Sequence, residues 1–220
     1  RKNLAHIRQG EYEGMFDKVR REEWRPDFGK AENNKKSGVT AIGVRDFLIA
    51  YNVNLNTLDK KIATDIALDI REAGRAKRDE NNKIIRDKKG NMLKKPGKLE
   101  YCKAVGWYID EYKQAQVSIN LTNYKKTSLH KTFEEIRRQA RRRGIRVTGS
   151  EVVGLLPKEA LIKTGKYYLK KQGKTTGVPE ADILDIAIQS LGLSDIEKFN
   201  VHEKIIEYKI SKNDNFLSNL

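Results

Sequence analysis

The sequence predicts an α+β fold in which helices cover one face of a sheet and leave the other face open. Three observations lead to this prediction. The segments 47–55 and 116–123 alternate apolar and polar residues with a period of two, as strands with one buried face do. Segments with helical periodicity follow the first and the third of the four predicted strands, and a turn joins the second strand to the third. Both alternating segments carry small and amide side chains on their second face, where a solvated strand usually carries charges.

The segment 116–123 (QVSINLTN) is the most regular of the predicted strands. Its apolar face carries Val117, Ile119 and Leu121. Its other face carries short amide and hydroxyl groups, from Gln116, Ser118, Asn120 and Thr122. Such groups are neutral and form directional hydrogen bonds. This face is therefore either an ordinary solvated surface or one wall of a ligand site.

The segment 47–55 (FLIAYNVNL) is built in the same way. Its apolar face carries Ile49, Tyr51, Val53 and Leu55, and its other face carries Ala50, Asn52 and Asn54. Asparagine is depleted in strands, and conflicts between local preference and context are expected at functional sites. We therefore favour a ligand-binding role for the polar face.

The residues before this strand predict a helix and a polar loop. Residues 11–24 have the pattern of an amphipathic helix, which the proline at 26 ends. The loop that follows is bounded by Gly29 and Gly38. Glycines at these positions allow main-chain amides to approach a ligand closely.

The residues between the two polar strands predict a helix, an excursion and a third strand. The helix is expected from Asn56 or Thr57 to about Ala73, and the charged residues 75–100 contain turn signals typical of an exposed hairpin. In residues 102–111 we assign Val105, Trp107 and Ile109 to the apolar face. The small residues Ala104 and Gly106, with Tyr108, then belong to the polar face.

The remaining elements complete the predicted fold. A helix over 127–143 precedes a fourth strand, 145–153, which carries Ser150 on the polar face and Glu151 at its end. Helices begin at Pro157 and Pro179, and a short strand over 205–210 precedes a frayed tail. The order from residue 47 is β-α-β-β-α-β with additional C-terminal helices, which is the split βαβ, ferredoxin-like plan.

Composition limits the classes of function. The chain has 220 residues, one cysteine, three histidines and a formal charge of +15. It contains no Cys or His spacing typical of a metal site and no long apolar run, so we expect a cytoplasmic protein without metal or membrane contact. The arginines of residues 137–146 suit a solvated helix face. Aromatic residues are not interleaved with them, so nucleic-acid binding is disfavoured.

Six segments resemble the glutamate formimidoyltransferase family. They are IRQGEYE (7–13), PDFG (26–29), FLIAYNVNL (47–55), GWYIDE (106–111), AQVSINL (115–121) and GSEVVGL (149–155). Their order and spacing are similar to the family pattern from residue 1 to about residue 210. The resemblance implies transfer of the formimino group of N-formimidoylglutamate to N5 of tetrahydrofolate in histidine breakdown. Tetrahydrofolate is then a substrate, and no metal is implied.

The resemblance also implies two related subdomains, with folate in a tunnel between their sheets. We then expect residues 1–46 to end the N-terminal subdomain, 47–210 to form the C-terminal one, and 211–220 to be a tail. The expected substrate-binding residues are Gly29, Lys30, Ala31, Glu32, Asn33, Asn34, Lys35, Lys36, Ser37, Gly38, Asn52, Asn54, Ser118, Asn120 and Glu151. The Glu151 carboxylate suits an amine or amidine group, or a structural salt bridge.

The catalytic base of the family is a histidine in the N-terminal subdomain. Neither His6 nor His130 lies in the corresponding motif, and His130 is better explained as a hydrogen-bonding residue at a helix terminus. We therefore expect no catalytic residue here and no activity without the missing N-terminal subdomain. The resemblance also implies a homodimer. Because the chain ends soon after Ile210, we expect no cyclodeaminase domain of the kind fused to the vertebrate enzyme.

Two alternatives remain open. The first is a non-catalytic, basic ferredoxin-like module that binds RNA through its positive charge. The second retains the fold and changes the reaction to folate cyclo-ligase chemistry on 5-formyltetrahydrofolate. The formimidoyltransferase hypothesis predicts that Asn52, Asn54, Ser118 and Asn120 share a sheet face that the helices of this chain do not cover.

Overall fold

A computed structural model describes residues 4–32 and 34–217. The chain divides into two compact units, Arg1–Arg45 and Asp46–Leu220. No helix among the described residues is both long enough and apolar enough to cross a membrane.

The first unit contains the helices α1 (Leu4–Ile7) and α2 (Glu11–Lys18), followed by a 3-10 turn, Glu22–Trp24. The buried ammonium of Lys18 donates hydrogen bonds to the carbonyl oxygens of His6, Ile7 and Gln9, at 2.8–3.0 Å. It also lies 3.9 Å from the centre of the Trp24 ring. The predicted helix over 11–24 therefore ends early, since the chain turns after Lys18 to bring the indole over this cation.

The second unit has longer elements. In chain order they are β1 (Ile49–Leu55), α3 (Lys60–Ile70), β2 (Arg75–Ala76), β3 (Lys94–Lys95), β4 (Cys102–Ile109), β5 (Gln114–Leu121), α4 (Leu129–Arg142), β6 (Val147–Val153), α5 (Lys158–Lys171), α6 (Glu180–Leu191), α7 (Val201–Lys204) and α8 (Ile206–Leu217). The strands β4, β5, β1 and β6 form a sheet in that order, with antiparallel neighbours. The predicted α+β class is confirmed.

The helices α3 and α4 pack on one face of this sheet. Residues paired across antiparallel strands share a face, and the pairs Ile49–Leu121, Tyr51–Ile119 and Val53–Val117 form the buried side as predicted. The helices contribute Ala63, Ile66, Ala67, Ile70, Leu129, Phe133, Ile136 and Ala140 to the same core. Asp59 caps α3 by accepting from the main-chain N–H of Lys61 at 2.7 Å.

The predicted faces of β4 were wrong. Gly106 pairs with Val117 and Ala104 with Ile119, so the small residues lie under the helices. A Cβ atom on Gly106 would lie 2.1 Å from the main-chain nitrogen of Thr64 in α3. Since α3 approaches this closely, only a residue without a side chain fits beneath it, and the larger residues Val105 and Trp107 face the open side.

Tyr108 and Ser150 also lie on the helix-covered side, which corrects the prediction for both. Tyr108 pairs with Ala115, and Ser150 pairs with Val53. The hydroxyl of Ser150 accepts from the Tyr51 hydroxyl at 2.9 Å and donates to the Leu191 carbonyl oxygen at 2.6 Å. Ser150 thereby satisfies a buried phenol, whose pKa is raised by desolvation.

The predicted strand over 205–210 was also wrong. Ile205 forms one parallel bridge with Leu156, and the chain then enters α8, which includes residues 211–217 of the expected frayed tail. The Glu207 carboxylate accepts from the main-chain N–H of Lys158 at 2.8 Å, at the start of α5. A segment of six residues is too short to distinguish the helical period of apolar residues from the strand period. The contacts with Leu156 and Lys158 instead determine that the segment is helical. Residues 218–220 lie outside the described part.

The charged residues after α3 form an exposed excursion, as predicted. Its base is the pairing of β2 with β3. Beyond it, main-chain hydrogen bonds of 2.8–2.9 Å connect Lys77, Ile85 and Leu93 in a closed set of three, with seven residues between successive members. Asp79 and Asp87 stabilise the turns by accepting main-chain N–H groups two and four residues further on.

Cys102, the single cysteine of the chain, begins β4 and is completely buried in the core. Burial and the nearby charge of Glu72 raise the pKa of its thiol to about 12. The thiol therefore stays protonated and unreactive at neutral pH.

Replacing Gly106 with alanine tests the close contact between α3 and β4. We expect Gly106→Ala to lower the free energy of unfolding by about 1–3 kcal/mol, because main-chain atoms of α3 must move to admit the methyl group. The control is Gly177→Ala, since the nearest atom to a Cβ there is 3.5 Å away. Urea denaturation of both variants measures the difference, and equal stabilities would show that α3 does not pack this closely.

Candidate functional site

A hydrogen-bonded network of polar side chains occupies the sheet face that α3 and α4 do not cover. It begins at Asp195, in the connection after α6. The Oδ2 atom of Asp195 accepts from Asn54 Nδ2 at 3.0 Å and from the Thr148 hydroxyl at 3.2 Å. Asn54 Oδ1 accepts in turn from Gln116 Nε2 at 2.6 Å.

The network continues from Gln116 to both sides. Gln116 Oε1 accepts from Trp107 Nε1 at 3.0 Å, and Gln116 Nε2 also donates to Glu151 Oε1 at 3.2 Å. The same carboxylate oxygen accepts from Asn52 Nδ2 at 3.0 Å. Four strands and the connection after α6 thus contribute to one continuous polar cluster.

Three amides of this network are buried, which the open-face prediction did not anticipate. Asn52 is 3 % exposed, and Asn54 and Gln116 are fully buried. Their immediate polar contacts are each other and the side chains of Asp195 and Glu151. The core helices lie on the opposite face, so they do not bury these amides. A buried amide is costly only when it lacks hydrogen bonds, and these are bonded.

The predicted residues of the second unit are brought together on this face. Asn52 pairs with Ser118 on one side and Glu151 on the other, while Asn120 pairs with Ala50. Ser118 and Glu151 are partly buried, and Asn120 is exposed. Thr122 lies beyond the end of β5, where its hydroxyl donates to the Tyr101 carbonyl oxygen at 3.2 Å.

Apolar side chains border the polar groups on the same face. Val105 pairs with Ser118, Trp107 with Gln116, and Val153 with Ala50. They are 57 %, 40 % and 52 % exposed, respectively. A flat molecule with polar edges could therefore contact both hydrogen-bonding groups and apolar surface here.

Several members of this network were not among the binding residues expected from the sequence. Trp107 was assigned to the wrong face of β4. The close approach of α3 decides which face of β4 is buried, and the alternation of apolar residues in β4 does not indicate this approach. Asp195 lies in a connection without periodicity, so no pattern identifies it. Gln116 was placed on the correct face but was not included among the expected binding residues.

The predicted loop from Gly29 to Gly38 belongs to the first unit. Both glycines have positive φ angles, +81° and +62°. Asn34 Oδ1 accepts from the main-chain N–H groups of Lys36 and Ser37 at 3.0 and 3.1 Å. The described loop residues are exposed except for the partly buried Ala31 and Gly38, and Asn33 lies outside the described residues.

A basic depression of about 1260 Å³ lies along α4, on the helix-covered side. Its cations are Lys98, Lys126, Lys131, Arg137, Arg138, Arg141, Arg146, Lys163 and Lys171. The acidic residues that line it are Glu134 and Glu135, which form ion pairs with Arg137, Arg138 and Lys171. Much of the positive charge is therefore concentrated away from the polar network.

His130 lines this depression and serves as a structural hydrogen-bonding residue. Its Nε2 atom is 3.0 Å from the hydroxyl of Ser128, the N-cap residue of α4, and its ring stacks on Tyr167 with centroids 4.2 Å apart. Desolvation and the charge of Lys163 lower the pKa of His130 to about 4. The interpretation of His130 as a residue that bonds at a helix terminus is confirmed.

Family models match most of the chain. The model described as formiminotransferase domain matches residues 50–211. The model described as formiminotransferase domain, N-terminal subdomain, matches residues 1–45.

Curated relatives are similar over most of this chain and over less of their own length. The formimidoyltransferase-cyclodeaminase of Dictyostelium discoideum is 42% identical over 212 residues, which cover 96% of this chain and 36% of the relative. The formimidoyltransferase-cyclodeaminase of Mus musculus is 38% identical, with the same coverage. The glutamate formimidoyltransferase of Streptococcus pyogenes is 42% identical over 170 residues, or 77% of this chain and 50% of the relative. The chain therefore spans between a third and a half of these proteins.

The low pKa of His130 predicts a pH dependence of stability. An unfolded chain binds a proton on this histidine below about pH 6.5, whereas the folded protein does so only near pH 4. Stability is therefore expected to fall as the pH decreases from 6.5 to 4. His130→Asn should flatten this part of the profile of unfolding free energy, measured by urea denaturation at several pH values. Parallel profiles would contradict the assignment.

Proposed function

Because the chain belongs to the formiminotransferase domain family, we propose that it is the folate-binding part of a glutamate formimidoyltransferase. The enzyme would move the formimino group of N-formimidoylglutamate to N5 of tetrahydrofolate in histidine catabolism. The observation that carries this proposal is the polar network around Gln116 on the sheet face opposite the core helices.

The chemistry of this face suits a reduced pterin. A pterin presents several hydrogen-bond donors and acceptors on its edges and apolar surface on its ring faces. The half-buried carboxylate of Glu151 and the hydroxyl of Ser118 can bond such edges. The exposed parts of Val105 and Trp107 can contact the ring.

In the proposed reaction this chain binds and orients the folate. The N5 amine attacks the amidine carbon of N-formimidoylglutamate and loses a proton to a general base. The tetrahedral adduct then breaks its C–N bond to the glutamate nitrogen, which takes up a proton and leaves as the amine of glutamate. We assign the base to a histidine of an N-terminal subdomain, since His130 lies on the helix-covered side of the sheet. The 220-residue chain alone should therefore bind folate without turning it over.

The fold supports the assignment of folate binding to this chain and of the catalytic base to an N-terminal subdomain. We assign the second unit to the split βαβ, ferredoxin-like plan, on the strength of its β-α-β-β-α-β order and its antiparallel sheet. In our proposal the polar face forms one wall of a tunnel, and a related sheet of the N-terminal subdomain forms the other. We also propose the loop from Gly29 to Gly38 as a folate-binding segment, and a cytoplasmic homodimer as the complete enzyme.

The positive charge has a role in this proposal. Folates carry a glutamate tail, often extended by further glutamates, and the co-substrate is also acidic. A basic surface raises the local concentration of such anions and the rate at which they associate. We assign this role to the basic depression along α4.

Titration of the 220-residue chain tests the proposal against the RNA-binding alternative. We expect 5-formyltetrahydrofolate to bind with an affinity that weakens less steeply with salt than RNA binding would, because this folate carries far fewer negative charges than RNA. Labelled single-stranded RNA is the competing ligand. Tight RNA binding that weakens steeply with salt, together with no response to 5-formyltetrahydrofolate, would overturn the proposal.

A substitution on the open face locates the binding surface. Ser118→Leu places a branched side chain between Asn52 and Val105. We expect it to weaken binding of 5-formyltetrahydrofolate at least tenfold, about 1.4 kcal/mol, without lowering the melting temperature. The control is Ser190→Leu, at a similarly half-buried position on α6. Equal affinities for the two variants would place the folate elsewhere.

A further inference from the structure

The hydrogen bonds of the polar network can form in one direction only. A carboxylate accepts hydrogen bonds and donates none. Asp195 Oδ2 therefore fixes the amide of Asn54 with its nitrogen towards Asp195 and its oxygen towards Gln116. Asn54 must have this orientation because the Asp195 carboxylate can only accept, whichever way the amide oxygen and nitrogen are assigned.

The orientation of Asn54 then fixes Gln116. Because Asn54 presents an oxygen, Gln116 turns its nitrogen towards it, at 2.6 Å. The oxygen of Gln116 faces the indole N–H of Trp107, which is a donor only. Asp195, acting through Asn54, and Trp107 therefore require the same orientation of Gln116. We call this chain of hydrogen bonds from Asp195 through Asn54 and Gln116 to Glu151 the relay, and its last bond joins the remaining hydrogen of Gln116 Nε2 to Glu151 Oε1.

Glu151 is the end of the relay. Its Oε1 atom accepts from both Gln116 and Asn52. Among the residues whose side chains the structure describes, none donates a hydrogen bond to its Oε2 atom. One oxygen is held by two amides, and the other remains available on the open face. Such an oxygen suits the adjacent N–H groups of an aminopyrimidinone ring.

The side chain of Asp195 lies against the sheet, although the residue itself is exposed. Its side chain packs over Gly149, where a Cβ atom would lie 2.2 Å from the Asp195 Cβ. Gly192 ends α6 with a φ of +59°, and its carbonyl oxygen accepts from the main-chain N–H of Ser150 at 2.9 Å. The connection after α6 therefore contacts β6 at two neighbouring positions, Gly149 and Ser150.

We propose that Asp195 is a positioning residue, which acts through Asn54 and Gln116 to present the Glu151 carboxylate to the aminopyrimidinone edge of the folate. This inference rests on the proposed function and extends it to a residue that does not touch the ligand. Without the charge of Asp195, Asn54 can turn over and offer its nitrogen to Gln116. Trp107 and Glu151 still hold Gln116 in its orientation, so two amide nitrogens then face each other. Their repulsion displaces Gln116 Nε2 and weakens its hydrogen bond to Glu151 Oε1.

The experiment compares two probes on the 220-residue chain by calorimetry. One is 5-formyltetrahydrofolate, and the other is its analogue with a methyl group in place of the 2-amino group. Wild type is expected to prefer the first at least tenfold, because the analogue lacks one donor to Glu151. Asp195→Asn and Glu151→Gln should each reduce this preference to less than threefold. Asp185→Asn, at an exposed carboxylate on α6, should leave it unchanged.

An exchange variant separates positioning from general support of the fold. In Asn54→Asp combined with Asp195→Asn, the carboxylate at 54 accepts from both the amide at 195 and Gln116. Gln116 Nε2 then faces an acceptor again, as it does in the wild type, and we expect the preference for the 2-amino probe to return. If circular dichroism shows that Asp195→Asn does not fold, the probe preference of the exchange variant tests the positioning role of Asp195.

The outcomes are distinguishable. If wild type binds neither probe, the proposed function fails and the inference fails with it. If wild type prefers the 2-amino probe and Asp195→Asn weakens both probes equally, Asp195 only supports the fold and the inference is overturned. Failure of the exchange variant to recover the preference would overturn it too. Loss of the preference for the 2-amino probe in Asp195→Asn, with its recovery in the exchange variant, supports the inference.

Discussion

Burial of amide groups on the central strands is the constraint on which this structure depends. Asn54 and Gln116 are fully buried on a sheet face that the core helices do not cover, and each unsatisfied group there would cost on the order of 1–3 kcal/mol. They are satisfied by one another and by carboxylates from β6 and the connection after α6. Both faces of the sheet are therefore ordered, one by apolar packing and the other by hydrogen bonds.

Alternation in the sequence predicted the faces of β1 and β5 correctly because it is strong and uninterrupted in both. It failed in β4, where the larger apolar residues turn away from the core. The reason is tertiary: α3 lies so close to Gly106 that a side chain cannot be accommodated. The C-terminal helix α8 was predicted as a strand because six residues cannot distinguish the two periods, and contacts with α5 decide its conformation.

The candidate site was predictable in part, for a similar reason. Residues such as Asn52 and Ser118 stand out because amide and hydroxyl groups recur at every second position of a strand. Asp195 has no such regularity, and its role depends on how the chain returns to the sheet after α6. Sequence also showed that arginines gather on α4, while only the structure shows that this charge and the polar network lie on opposite sides of the sheet.

The buried thiol of Cys102 gives the chain a property that its function does not require. Because Cys102 has no exposed surface and a thiol pKa of about 12, it should not react with maleimides at neutral pH. A cysteine introduced at the exposed Asn120 would then be the sole labelling position, at the rim of the polar face. A fluorophore or spin label attached there reports on this surface in the otherwise native protein.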